Sequence, residues 1–167
     1  SLKILDIGTG SGAIAVSLAR EFKNAKITAI DISDKAIKVA EKNISRKNLN
    51  EKIQLKKISI DRIDDKFDLI VSNPPYLKKK ELENISDEIK KFEPMIALNG
   101  GKDGLDFYRK FSRILPKIMK KNAYLILEIG EGQFFDCLDI FGKSSLNFQK
   151  KTQDLQKKDR IMVFSKI

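Results

Sequence analysis

The stretch LKILDIGTGSGAIAVSLAREF at residues 2–22 leaves a chain few folds to choose from. Leu2–Ile7 is a short apolar run of the kind that makes a buried strand, and it enters a turn holding Gly8, Gly10 and Gly12. From Ser11 to Phe22, Ile14, Leu18 and Phe22 recur at helical spacing. A strand that runs through glycines straight into a helix begins a β-α-β unit, and strands joined that way lie parallel.

The alternation continues. KITAID at 26–31 is a second strand, Ser33 an N-cap, and Ala36, Ile37, Ala40 and Ile44 line one face of the helix that follows. Ile53–Ile60 reads as a weaker third strand and FDLIVS at 67–72 as a fourth. Leu105–Ile118 is helical, with Pro116 bending or ending it, AYLILEI at 123–129 is a fifth strand, and Glu131–Phe141 is a helix. Leu146–Thr152 and Arg160–Ser165 are strands with no helical pattern between them, which predicts an antiparallel finish. The predicted class is α/β: a mostly parallel sheet with helices on both faces and an antiparallel C-terminal strand. In such sheets ligands bind at the carboxyl ends of strands.

Composition narrows the chemistry. With 167 residues, 41% of them apolar, the chain makes one domain over 1–167. It carries one cysteine, Cys137, and no histidine, which removes intrachain disulfides, imidazole triads and the usual metal clusters, so no metal is expected. No membrane-length apolar run or signal peptide is visible, and a cytoplasmic monomer is expected. The net charge of +10 is spread in short mixed runs and reads as solvated surface. The chain opens at Ser1 and enters its first core strand at once, so a piece of a longer protein is expected.

Glycines in the first loop let a backbone come close to a ligand. Gly8, Gly10 and Ala13 also satisfy the dinucleotide fingerprint, so the loop alone does not separate a nicotinamide from another nucleoside cofactor. Asp6 bears on that choice: a carboxylate closing a buried strand repels a pyrophosphate but suits the amino group of a methionine moiety. Asp31, closing the second strand, is placed to accept ribose hydroxyls, with helix capping as its alternative role. Asp6, Gly8, Gly10, Gly12 and Asp31 together resemble the motif set of S-adenosyl-L-methionine-dependent methyltransferases of Rossmann-like fold.

After the fourth strand comes SNPPYL, residues 72–77. Asn73 and Pro74 each precede a proline, so the segment is stiff and extended, and it projects the Asn73 amide in a fixed direction. Tyr76 adds a flat face with a polar tip. Such parts suit a planar –NH2 group: the Asn73 side-chain oxygen and the Pro74 carbonyl accept its two protons, and its lone pair is left to meet a methyl group.

At this point the chain is similar to one family, the release-factor glutamine methyltransferases. DIGTGSGAIAVSLA, AIDISDKAIKVAEKNI, FDLIVSNPPYL, FEPMIALNGGKDGLDFYRKF, LILEIGEGQ and DLQKKDRIMVF resemble its blocks in its order. The resemblance implies transfer of a methyl from S-adenosyl-L-methionine to the side-chain amide of the glutamine in the Gly-Gly-Gln motif of peptide chain release factors. It implies a catalytic set of Asn73, Pro74, Pro75 and Tyr76. The implied cofactor contacts are Asp6, Gly8, Thr9, Gly10, Gly12, Asp31, Ile32 and Asn73, with Ser59 standing where the family carries an acidic residue near the adenine. Glu93, Pro94, Ala97, Leu98, Gly100, Gly101 and Gly104 are implied to shape the acceptor side, with Asn73, Pro74, Tyr76, Glu93 and Pro94 touching the substrate. Family members carry an N-terminal helical docking module, expected to be absent from this chain. The rival reading is a nucleic-acid exocyclic-amine methyltransferase, which would use the same NPPY on a flipped adenine or guanine. No dense basic cluster or target-recognition insert favours it.

Overall fold

A computed structural model describes residues 1–84 and 95–167. Its strands are β1 (Leu2–Ile7), β2 (Ala25–Asp31), β3 (Ile53–Lys57), β4 (Phe67–Ser72), β5 (Met119–Glu128), β6 (Leu146–Gln153) and β7 (Asp159–Lys166). The described helices are α1 (Ala13–Glu21), α2 (Asp34–Arg46), α3 (Lys79–Glu83), α4 (Met95–Leu98), α5 (Asp106–Ile118) and α6 (Phe134–Gly142). One sheet takes the order β3-β2-β1-β4-β5-β7-β6. It is parallel from β3 to β5, and β7 pairs antiparallel with both β5 and β6. The α/β prediction with an antiparallel C-terminal finish is what the structure shows.

Strand alternation divides the core. Leu5 and Ile7 face α5 and α6 together with Ile70, Leu125, Leu127, Met162 and Phe164. Ile4 faces the other way, with Ile27, Ala29, Ala15, Ala19, Ala40 and Ile44. Asp6, two residues beyond Ile4, shares that second face beneath the start of α1. Chain order runs outward from β1 to β3 on one side, then returns to β4 on the other. The reversal between β1 and β4 opens a crevice at their carboxyl ends, where open α/β sheets take ligands.

Four local readings differ from the structure. The predicted apolar stripe of α1 is not its buried one, since Ile14 and Phe22 are exposed while Ala15 and Ala19 are fully buried. Small residues let α1 lie close to sheet and neighbour helix; a Cβ on Gly12 would sit 3.2 Å from the Ala40 Cβ. The third strand stops at Lys57, and Ile60 instead begins a 3-10 turn, Ile60–Arg62, that carries its side chain into the core. The helix expected from Glu131 begins only at Phe134, with Gln133 as its N-cap, whereas the helix expected to end near Pro116 does so at Ile118. The fifth strand starts at Met119 rather than 123, where its pairing with β4 is irregular and Asn122 takes a φ of 61°.

Candidate active site

The glycine loop closes on itself. The Gly8 and Thr9 N–H groups both donate to the Ile30 carbonyl at 2.9 Å, and Gly12 N–H donates to Thr9 O at 2.8 Å. Gly10 N–H donates to Asp31 Oδ2 at 2.9 Å. Gly8, Gly10 and Gly12 all have positive φ, which makes this winding accessible, and a Cβ on Gly8 would meet nothing within 4 Å. The loop therefore gives a ligand open space more than free amide donors. A diphosphate, which needs such donors, is poorly served.

Asp6 supplies the opposite polarity. It is fully buried, and its Oδ2 accepts from the Thr9 hydroxyl at 2.6 Å. Its Oδ1 is buried without a partner among the described residues. Burial pushes the carboxyl up to about 6, against a pull from the Thr9 hydroxyl and a weaker one from the Ala15 N–H, which lies outside hydrogen-bond geometry; the nearby Asp31 adds to the rise. A buried carboxylate oxygen with nothing to accept is the complement of a cationic amine.

Asp31 ends β2 half-buried. Its Oδ1 accepts from the Ser33 N–H at 2.9 Å, while Oδ2 holds Gly10. The cap of α2 is Ser33, whose hydroxyl accepts from Ala36 N–H at 3.3 Å. Asp31 is thus the fastener between strand and loop, and each oxygen keeps a second lone pair for a ligand. Ile32 beside it is 53% exposed, an unusual apolar face at the crevice mouth. Ser59 donates to Asp61 Oδ2 at 2.6 Å, and Lys110 of α5 reaches the same oxygen at 2.5 Å. An acid, Asp61, thus sits beside Ser59.

Across the crevice, β4 delivers Asn73. Ser72 is buried and donates to the Ile7 carbonyl at 2.8 Å, tying the end of β4 to the end of β1. Asn73 is exposed, and its amide meets no hydrogen-bond partner among the described residues. Pro74 is buried and Pro75 half-buried, and Tyr76 packs its ring on the core. Just beyond, Leu77 N–H donates to Leu98 O at 3.0 Å, Gly100 N–H to Leu77 O at 2.9 Å and Lys79 N–H to Gly101 O at 3.0 Å. These bonds bring the 97–104 block against NPPY. Ala97 stays exposed, and Glu93 and Pro94 lie outside the described residues.

Two polar residues escaped the sequence reading. Ser72 is visible only as the last letter of a strand. Gln133 is buried and bonds Tyr76, Gly104 and Gly130. The single clue to it is an uncharged polar residue at the apolar start of α6.

The arrangement has relatives. The sequence model of the family described as "Methyltransferase small domain" matches residues 1–95. A release factor glutamine methyltransferase of Fusobacterium nucleatum is 40% identical over 98% of this chain and 47% of its own length. One from Clostridium acetobutylicum is 34% identical over 96% of this chain and 58% of its own length. The chain thus spans about half the length of the curated relatives it matches. Among solved structures, a methyltransferase from Pyrococcus furiosus superposes with a TM-score of 0.73 at 20% identity, covering 99% of this chain and 75% of that one, which shows a shared fold. Since the family match takes in β1 to β4 with both the glycine loop and NPPY, this chain belongs to the methyltransferase small domain family.

Proposed function

We propose that this chain transfers a methyl group from S-adenosyl-L-methionine to the side-chain amide nitrogen of the glutamine in the Gly-Gly-Gln motif of a peptide chain release factor, working as a cytoplasmic monomer. The observation that carries the reading is that two groups with no partner among the described residues stand on either side of one crevice. One is the buried Oδ1 of Asp6 and the other the exposed amide of Asn73. The names of the curated relatives support the choice of acceptor.

The residues fit that cofactor. Asp6 would take its ammonium, Asp31 its ribose hydroxyls, and Ile32 with the Ser59–Asp61 pair would flank its base, while the open side of Gly8 leaves room for the chain between. When bound, the cofactor supplies an electrophilic methyl on a sulfonium. An amide nitrogen is a weak nucleophile because its lone pair is delocalised into the carbonyl. Asn73 Oδ1 and the Pro74 carbonyl would accept the two N–H protons, turning the lone pair out of conjugation and toward the methyl. Tyr76 would position the rest of the acceptor side chain. The proton displaced by the new N–C bond leaves to water after transfer, so no general base is required.

The test is incubation with methyl-labelled S-adenosyl-L-methionine and, in separate reactions, a Gly-Gly-Gln release factor, its Gly-Gly-Ala variant, or duplex DNA. Label in the first alone is expected. Label in DNA would establish the nucleic-acid amine reading instead, and equal labelling of the Gly-Gly-Ala protein would remove glutamine as the acceptor.

A further inference from the structure

Gln133 opens α6, yet its side chain makes no capping bond to that helix. It is 6% exposed and turned inward. Oε1 accepts from Gly130 N–H at 2.9 Å, and Nε2 donates to the carbonyls of Tyr76 at 3.0 Å and Gly104 at 3.3 Å. One amide therefore joins three chain segments: the one leaving β4, the one entering α5 and the one leaving β5. None of these bonds belongs to the sheet ladders.

The surroundings are shaped to match. A Cβ on Gly100 would lie 2.8 Å from Tyr76 Cα, and one on Gly130 would lie 2.8 Å from Tyr76 Cδ2. One on Gly104 would overlap both the Tyr76 carbonyl oxygen and, at 2.6 Å, Gln133 Nε2. Tyr76 is thus closed in on three sides by glycines that have only hydrogen to offer, and its peptide is held by the Gln133 amide. Pro74 and Pro75 have fixed φ, so a change in the Tyr76 peptide plane has few torsions to dissipate in before it reaches Asn73.

We infer that Gln133 is a positioning residue for methyl transfer, setting the direction of the Asn73 amide by locking the Tyr76 peptide into a seat made by Gly100, Gly104 and Gly130. This rests on the function proposed above. A misplacement of about 1 Å in a group that orients a reacting atom costs on the order of 10²-fold in rate, so a residue that never touches substrate can control turnover.

Two variants separate the bonds from the volume. Gln133→Met keeps the size and removes every bond. Gln133→Glu keeps the acceptor for Gly130 N–H and loses both donors. Each is compared with the wild-type chain for melting temperature, affinity for S-adenosylhomocysteine, and kcat and KM toward a Gly-Gly-Gln peptide at saturating cofactor. The expected result is a fall in kcat of roughly 10- to 100-fold, with cofactor affinity and peptide KM changed less than about threefold. The Gln133→Glu variant should regain kcat as pH falls through the raised pKa of its buried carboxyl, because the protonated acid again donates to Tyr76 O. If Gln133→Met does not fold, Gln133→Glu and its pH profile carry the test. Wild-type-like kcat in a folded variant overturns the inference, as does a loss shared equally by cofactor affinity and melting temperature. A wild-type chain that labels no Gly-Gly-Gln peptide overturns the function proposed above as well, which is a distinguishable result.

Discussion

Asp6 has one oxygen on Thr9 and one without a partner among the described residues, and its folded-state pKa of about 6 lies above its ordinary 3.8. The native state therefore binds this proton more tightly than the unfolded chain does. Keeping Asp6 ionised above pH 6 costs on the order of 3 kcal/mol, and that cost is relieved as pH falls from about 6 toward 3.8. A cationic amine at Oδ1 reverses the balance, since it favours the ionised form. Affinity for S-adenosylhomocysteine should be level above pH 6.5 or so and weaken by up to about tenfold per unit below pH 6. Calorimetric titration between pH 5 and 8 measures it, and Asp6→Asn should flatten the profile; equal affinity at pH 5 and 7.5 would place the amine elsewhere. Asn73 makes the complementary prediction. Asn73→Ala should leave folding and cofactor affinity nearly intact, because the side chain is exposed and has no partner among the described residues, yet slow single-turnover transfer by about 10²–10³-fold. Retention of more than about a third of the rate would reduce NPPY to a strand exit. Asp6, Asp31 and Asn73 were all found from sequence by one rule: each closes or directly follows a parallel strand. Ser72 closes a strand too, but its role and that of Gln133 were not legible, because Ser72 bonds Ile7 65 residues away and Gln133 bonds Tyr76 57 residues away, and only the folded topology brings these together.

The elements were legible wherever periodicity was strong and backbone demands were ordinary. The Ser33 cap of α2 was readable because a hydroxyl three residues before Ala36 has a definite job at a helix start. The buried face of α1 was not, because Ala15 and Ala19 weigh little on a hydrophobic count while Ile14 and Phe22 weigh much. Close approach, not apolar bulk, decides how that helix lies. Gly12 sits at the junction, with a φ of 79° and the Ala40 side chain just above it. Gly12→Ala would add a left-handed strain of about 1–2 kcal/mol before any crowding. Crowding adds to it, since α2 must shift by a few tenths of an ångström to accept the methyl. We expect a melting temperature several degrees lower, with cofactor affinity falling too because the same turn shapes the loop. A melting temperature within a degree of wild type would show that the α1–α2 contact is loose. The extra length of β5 escaped notice for a related reason. Its first turnings, Lys120, Lys121 and Asn122, look like a loop, and they pair irregularly with β4 while Lys120 bonds Asp68 at 2.8 Å.

At the scale of the whole molecule, every strand end that forms the crevice is present: β1 with Asp6, β2 with Asp31, β3 leading to Ser59, β4 with Asn73 and β5 leading to Gln133. On the proposed function, cofactor binding and alignment of the acceptor amide would lie within these residues. Selection of a large protein substrate is a separate matter, because it draws on contacts far from the reacting nitrogen, and such remote binding energy normally lowers the barrier by holding the substrate in register. The chain spans about half the length of its curated relatives, so the relatives have as much surface again on which to make those contacts. This separation yields a ratio that one preparation can supply. For the chain alone, kcat/KM should be similar, within about threefold, for a short Gly-Gly-Gln peptide and for an intact release factor, because nothing beyond the crevice is rewarded. For a protein of the relatives' full length the intact factor should be preferred by a large margin, on the order of 10²-fold, while affinity for S-adenosylhomocysteine stays the same in both. A strong preference for the intact factor by the chain alone would overturn the division, and would put the surface that reads the release factor on these seven strands and their helices.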